Sequence, residues 1–330
     1  MDPLSEAEFT DLMSRCGGGA SSNVAVAVSG GADSMALVLL AHRWAQAAGI
    51  SITALTVDHG LRKESQAEAL KVKAWLSVRG IKHEILTWQP PKNMTTALQA
   101  RARTARYGLM IDWCLGHNAG AILLAHHLGD QAETVLMRMK KRSTLYGLGG
   151  MAPVRDQNGV NVCRPLLSVP KSRLIATLNE HGQDWVEDPS NQNLAFERVR
   201  VRAQMVQLEK QGITAERLAG VAKSARAVCD VIDKAADILT ESSVSELEGP
   251  KTKVSLAFVK APNRVAERAL SKLLMKVGKC DYPPNPEKLK RLLEWMGKPG
   301  QKARTLGGTI IRSQNCGFEI VKEISRKVSR

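Results

Sequence analysis

Five apolar residues, Val24-Ala25-Val26-Ala27-Val28, run directly into Ser29-Gly30-Gly31-Ala32-Asp33-Ser34, and a helical pattern follows from Met35 to Ala48, closed by Gly49. A short apolar, β-branched run bounded by a turn signal reads as a buried strand. Strand, glycine turn and helix in immediate succession commit the chain to a βαβ arrangement. The alternation continues, with strands predicted at 50–57, 81–86 and 121–125 and helices at 64–78, 96–115 and 130–140. This order predicts an α/β fold on a parallel sheet, with helices covering its faces.

After Gly147 the pattern gives way to Gly/Pro-rich loops through Pro170. A helix is predicted at 171–180, helical structure over 192–240, and a linker at 242–250. Two helices (262–277 and 286–296) and two strand-like runs (303–312 and 317–323) follow. A chain of 330 residues suits two or three domains. The expected partition is an α/β domain over 1–205, a helical region and linker over 206–250, and a small α+β domain over 251–330.

Charge separates these parts. The chain carries a net charge of +15, and residues 251–330 hold 19 Lys/Arg against 6 Asp/Glu, an excess of +13. A basic end behind a near-neutral body implies a polyanionic partner docked at that end. With aromatics at 4%, contacts to phosphate and shape are favoured over stacking on aromatic side chains. Six cysteines stand far apart without a CxxC pair, which argues against a zinc ribbon, an iron–sulfur site or a disulfide scaffold and suggests a reducing, cytoplasmic setting. No run approaches a membrane span, so no membrane partner is expected.

The glycine turn carries the first chemistry. Two glycines after a buried strand let the backbone approach a ligand, and the following helix aims free N–H groups and its positive end into the turn. The lysine of a Walker A loop is missing, and the spacing is not GxGxxG. A tight turn with Asp33 or Ser34 as a helix cap is the plainer alternative. Two further stretches lie at predicted carboxyl ends of strands, where ligands bind in open α/β sheets: Val57-Asp58-His59-Gly60-Leu61-Arg62 and His126-His127-Leu128-Gly129-Asp130-Gln131-Ala132-Glu133-Thr134. Asp130 and Glu133 are three apart and share a helical face, suited to Mg²⁺ or a cationic amine. Arg103 and Arg106 likewise share a face. The paired histidines have no nearby cysteine, which disfavours zinc.

Ser29-Gly30-Gly31-Ala32-Asp33-Ser34 after a strand resembles the PP-loop of the N-type ATP pyrophosphatases, which split ATP between its α and β phosphates and adenylate a carbonyl oxygen. Further motifs follow in order: Ala102-Arg103-Thr104-Ala105-Arg106-Tyr107, the His126 stretch, Gly147-Leu148-Gly149-Gly150-Met151, Arg164-Pro165-Leu166-Leu167, Lys171, and Glu187-Asp188-Pro189-Ser190-Asn191. Together they are similar to the tRNA(Ile)-lysidine synthetase family, densely over about residues 22–205. The resemblance implies a Rossmann-like PP-loop ATPase domain, ATP as substrate with Mg²⁺, and tRNA(Ile) with a CAU anticodon and L-lysine as the other substrates.

Residue roles follow from the resemblance. Ser29, Gly30, Gly31, Ala32, Asp33 and Ser34 are assigned to the phosphates, with Val57 and Asp58 bordering the nucleotide. Asp130 is assigned to Mg²⁺ or the reacting cytosine, and Glu133 to the lysine amine. Arg103 and Arg106 are assigned to negative charge on the transferring group or to the tRNA backbone. The family pattern Arg-Asn-x-x-Arg is replaced here by Arg198-Val199-Arg200-Val201-Arg202, so Arg198, Arg200 and Arg202 are tRNA-binding candidates with an open register. The alternative is another PP-loop synthetase that adenylates a small-molecule or other tRNA carbonyl.

Overall fold

The computed structural model describes residues 1–17, 21–58, 60, 65–88, 98–187, 197–246, 251–280, 282–298 and 303–323, with the side chains of 98–100, 102 and 103 outside that description. Packing divides the chain into two units, Met1–Ser224 and Ala225–Arg330.

The first unit opens with α1 (Glu6–Arg15), which no apolar run announced. Ser5 and Glu8 form a reciprocal capping box at its start, and Phe9 and Met13 are its buried residues. Then follow β1 (Asn23–Ala27), α2 (Ala32–Ala48), β2 (Ser51–Asp58), α3 (Ser65–Val78), β3 (His83–Thr87), α4 (Leu98–Gly116), β4 (Ala121–Leu123), α5 (Leu128–Lys140) and α6 (Leu145–Leu148). After these come β5 (Val154–Gln157), β6 (Val160–Cys163), α7 (Lys171–Glu180) and α8 (Glu197–Lys210). The sheet order is β3-β2-β1-β4-β6-β5, with parallel pairing except at the β5 edge. Val24, Val26 and Ala54 are buried among α2 residues such as Leu37 and Ala41, and Ala25, Leu55 and Ile122 among α4 residues such as Ile111. The sheet is therefore apolar on both faces, as parallel sheets require.

The loops expected between Gly147 and Pro170 contain a hairpin instead. Asn158 and Gly159 both have positive φ (56° and 85°) and reverse the chain between β5 and β6. Two residues in that conformation make the turn that matches strand twist.

Helix α9 (Ala215–Ser243) runs across the division at Ser224 and Ala225, so this boundary carries no Pro or Gly signal. The sequence expectation placed boundaries at 205 and 250. The second unit continues with β7 (Val244–Glu246), β8 (Lys251–Ser255), α10 (Leu256–Lys260), α11 (Asn263–Gly278), α12 (Pro286–Met296), β9 (Ala303–Leu306), β10 (Thr309–Gln314) and β11 (Gly317–Lys322). Its antiparallel sheet has the order β7-β8-β11-β10-β9. The single run expected over 303–312 is two strands, because Gly307 and Gly308 (φ 60° and 68°) fold it into a hairpin. Val254, Phe318, Ile320 and Ile311 pack against α11 and α12 through Leu270, Leu274, Leu292 and Leu293. Alternation along the strands sends Lys251, Lys253, Arg312 and Glu319 to the other face.

Candidate nucleotide site

The carboxyl ends of β1, β2 and β4 open onto a cavity of ≈ 330 Å³. Ser29, Gly31, Asp33 and Ser34 form one wall, and Thr56 and Val57 a second. Arg106, Tyr107 and His126 form a third.

The glycine turn is built by local hydrogen bonds. Gly30 has φ +86°, and a Cβ there would lie 2.9 Å from Val72 Cγ2, so this position demands glycine. Its carbonyl accepts from Val186 N at 2.9 Å. Gly31 is the N-cap of α2 and offers no side-chain acceptor, so it leaves the first amides of α2 open toward the cavity. Ser34 Oγ donates to Gly31 O (2.9 Å) and accepts from Ser29 N (3.1 Å). With the Ser34 proton committed, the 3.2 Å contact between the two hydroxyls has Ser29 as donor. Both serine hydroxyls are thus spent in holding the loop, and main-chain N–H groups are left to meet an anion.

Asp33 faces sideways from this turn. Its Oδ2 lies 3.3 Å from Lys171 Nζ and 3.7 Å from His127 Nε2, and its buried Oδ1 has no hydrogen-bond partner among the described residues. His127 caps α5: Nδ1 accepts from Gly129 N at 3.0 Å, which puts the ring proton on Nε2. That proton points between two carboxylates, because Asp130 Oδ2 is also 3.7 Å away. Asp130 Oδ2 accepts from His127 N at 3.1 Å, completing a capping box at the start of α5. One turn on, Glu133 is buried, and its Oε1 accepts from Arg202 Nε of α8 at 2.8 Å. Burial pulls the Arg202 guanidinium down, but the Glu133 hydrogen bond and charge outweigh it. Asp130 and Asp33 add to the same side, and the group is held above its ordinary value.

The PP-loop domain family matches residues 1–209. A tRNA(Ile)-lysidine synthase from Methylobacterium nodulans is 38% identical over 336 residues, covering 98% of each chain. The chain belongs to the tRNA(Ile)-lysidine synthase family. A family member from Ruegeria pomeroyi is 35% identical over 90% of this chain and 70% of its own. One from Bradyrhizobium diazoefficiens is 43% identical over 66% of this chain and 60% of its own. Among solved structures, the U34-tRNA thiolase NcsA from Methanococcus maripaludis shares the fold at TM-score 0.58 and 14% identity, over 68% of this chain and 78% of that one.

Lysidine-synthase motifs that looked chemical in the sequence divide into two kinds here. Gln131 and Arg138 hold the Gly147-Leu148-Gly149-Gly150-Met151 motif on α5. Gln131 Nε2 donates to Met151 O (3.0 Å) and Met151 N to Gln131 Oε1 (2.8 Å), while Arg138 Nη1 donates to Gly147 O (2.6 Å) and Gly150 O (2.9 Å). A Cβ on Gly150 would lie 2.7 Å from Gln131 Oε1. The Arg164-Pro165-Leu166-Leu167 motif buries both leucines, and Arg164 donates to Ala152 O (3.0 Å) and hydrogen-bonds the Tyr107 side chain on the cavity wall.

The site residues expected from sequence are partly gathered. Ser29, Gly31, Ala32, Asp33 and Ser34 surround the turn, Val57 lines the cavity, and Arg106 stands opposite with its guanidinium carbon 5.9 Å from the Tyr107 ring centre. Asp58 serves the end of β2, where its Oδ1 accepts from Gly60 N (3.0 Å) and Ser65 Oγ (2.6 Å). Arg202 joins the carboxylates, whereas Arg200 is exposed and Arg198 half-buried on the same helix. The side chain of Arg103, together with His59, Leu61, Arg62 and Asp188-Pro189-Ser190-Asn191, lies outside the described residues. Sequence reasoning missed Thr56 and Ser65 on the cavity wall, where no pattern distinguishes them from structural residues, and gave Tyr107 no role although it ends the Ala102–Tyr107 motif. Burial pushes Cys114 up to about 11 and Cys163 up to about 12, so neither is a thiolate near neutrality.

Proposed function

We propose that this chain joins the ε-amine of L-lysine to carbon 2 of the wobble cytidine of tRNA(Ile) with a CAU anticodon, converting ATP to AMP and diphosphate. The observation that carries the reading is the α2 N-terminus opening, uncapped by any side chain, onto a cavity flanked by Asp33. ATP seats its phosphates on these amides. The cytosine 2-oxygen attacks the α-phosphorus, diphosphate leaves, and the adenylated carbon 2 becomes open to the lysine amine, which expels AMP. Arg106, across the cavity, faces the charge of the transferring group. Glu133 holds the lysine ammonium before reaction, in competition with Arg202.

Mg²⁺ fits the donors present. Asp33 and Asp130 offer only hard carboxylate oxygens, and Asp33 Oδ1 is a buried acceptor with no hydrogen-bond partner among the described residues. An ion held there would take its other ligands from phosphate and water. When bound, Mg²⁺ neutralises triphosphate charge.

The 251–330 segment docks the tRNA. Lys251, Lys253 and Arg312 rise from the face of the second sheet that α11 and α12 leave open, and its charge excess is suited to phosphate contacts. No described helix is long and apolar enough to cross a membrane. A cytoplasmic setting, where tRNA, ATP and lysine meet, accords with this activity. The test is mass spectrometry of tRNA(Ile) after incubation with the full chain, ATP and lysine. The expected product is heavier by one lysine less one water, at the wobble position only; an unmodified tRNA beside hydrolysed ATP would refute the assignment.

A further inference from the structure

The glycine turn has no lysine of its own, but the fold delivers one from elsewhere. Lys171 is the first residue of α7, and α7 packs along α2. These helices follow β6 and β1, which both run parallel to β4, so both begin at the carboxyl edge of the sheet. Lys171 Nζ lies 3.3 Å from Asp33 Oδ2, across 138 positions of sequence. Stability does not account for this placement. A cation at a helix start opposes the macrodipole, and a half-exposed ion pair returns at most about 1 kcal/mol.

We propose that Lys171 is a substrate-binding residue for the β- and γ-phosphates of ATP. The proposal rests on the glycine turn holding ATP and extends that reading to the leaving group. When the cytosine oxygen attacks the α-phosphorus, the bond from that phosphorus to the bridging oxygen breaks. Its electron pair stays on the departing diphosphate, where negative charge accumulates. Lys171 Nζ stands at the first turn of the helix that receives the phosphates, on a flexible stem, and moves from Asp33 to that diphosphate. An ammonium is a strongly hydrated point charge suited to phosphate oxygens of changing geometry. The chain thus takes from a second helix the charge that a Walker A loop carries internally.

The test compares ATP and AMP binding to the full chain by calorimetry, with Lys171→Met and Lys171→Arg. The Met variant is expected to lose ATP affinity by about tenfold or more with AMP affinity unchanged, and the Arg variant to recover part of the loss. Equal losses for ATP and AMP, or unchanged ATP affinity, would overturn the proposal. A second measurement needs no variant: reductive methylation of Lys171 in the wild-type chain, followed by mass spectrometry. ATP and diphosphate are expected to protect the amine and AMP to leave it reactive; equal modification under all conditions overturns the assignment. A wild-type chain that binds neither nucleotide would instead remove the nucleotide site itself.

Discussion

Ser34 Oγ lies 3.1 Å from the amide nitrogen of Ser29 and 3.2 Å from its hydroxyl, so the last residue of the glycine turn closes it upon the first. Ser34→Ala removes the acceptor for the Ser29 amide. The expected cost is about 1–3 kcal/mol, felt in loop geometry, with weaker ATP binding. Calorimetric titration with ATP measures it; wild-type affinity in the variant would refute the closing role.

The two glycines separate stability from binding. Gly30→Ala places a Cβ 2.9 Å from Val72 Cγ2 at φ +86° and is expected to lower thermal stability by about 1–3 kcal/mol as well as ATP affinity. Gly31 has φ −72°, and its added Cβ comes no closer than 3.7 Å, to Ser29 Oγ. Gly31→Ala is therefore expected to melt normally while obstructing the phosphates. A melting curve and a titration on each variant check the contrast.

Glu133→Gln keeps a hydrogen-bond acceptor for Arg202 and removes the charge. Thermal stability is expected to stay within about 1 kcal/mol, since the amide carbonyl still accepts from the guanidinium. The KM for lysine is expected to rise on the order of tenfold or more with little change in the KM for ATP. Steady-state kinetics with each substrate varied in turn gives the answer, and equal effects on both would remove Glu133 from lysine binding.

His83 makes stability depend on pH. Thr56 Oγ1 donates to Val28 O at 2.8 Å, so His83 Nε2 donates to Thr56 Oγ1, also at 2.8 Å. Burial, helped by the nearby charge of Lys73, holds the imidazole down to about 4. The unfolded chain takes up this proton near the ordinary value of 6.5, so between 6.5 and 4 it binds more protons than the folded chain. Stability is therefore full above 6.5 and falls as pH drops through that window, by about 1–2 kcal/mol after discounting for partial solvent screening. Urea unfolding at pH 7 and pH 5 measures the loss, and His83→Gln is expected to flatten it.

The open sheet face of the second unit gives a salt signature. Replacing Lys251, Lys253 and Arg312 together by alanine is expected to weaken tRNA binding and lower the slope of log affinity against log salt by roughly 2–3. Filter binding across a salt series reads this out, and an unchanged slope would place the docking surface elsewhere.

The glycine turn was legible because its conformation leaves few residue choices: Gly30 at φ +86° admits no ordinary side chain. The first alternating elements were legible because β1 and β2 carry apolar runs, closed by the turn residues at Ser29-Gly30-Gly31 and by Asp58. The β5–β6 hairpin was hidden, although Asn158-Gly159 signals a turn, because its four-residue strands sit among prolines and glycines that read as loop. Pairings across sequence were beyond reach. Arg202 meets Glu133 over 69 positions and Lys171 meets Asp33 over 138, and periodicity within one element carries no information about such distant partners.

Gln131 and Arg138 tie the 147–151 segment to the helix that bears Asp130 and Glu133. Segment and carboxylates consequently share one frame of reference. A chimaera that exchanges this segment for a foreign one without matching positions 131 and 138 would disturb the acidic pair on the same helix. Breeding new acceptor preference into this enzyme would have to treat the two stretches as one transplant.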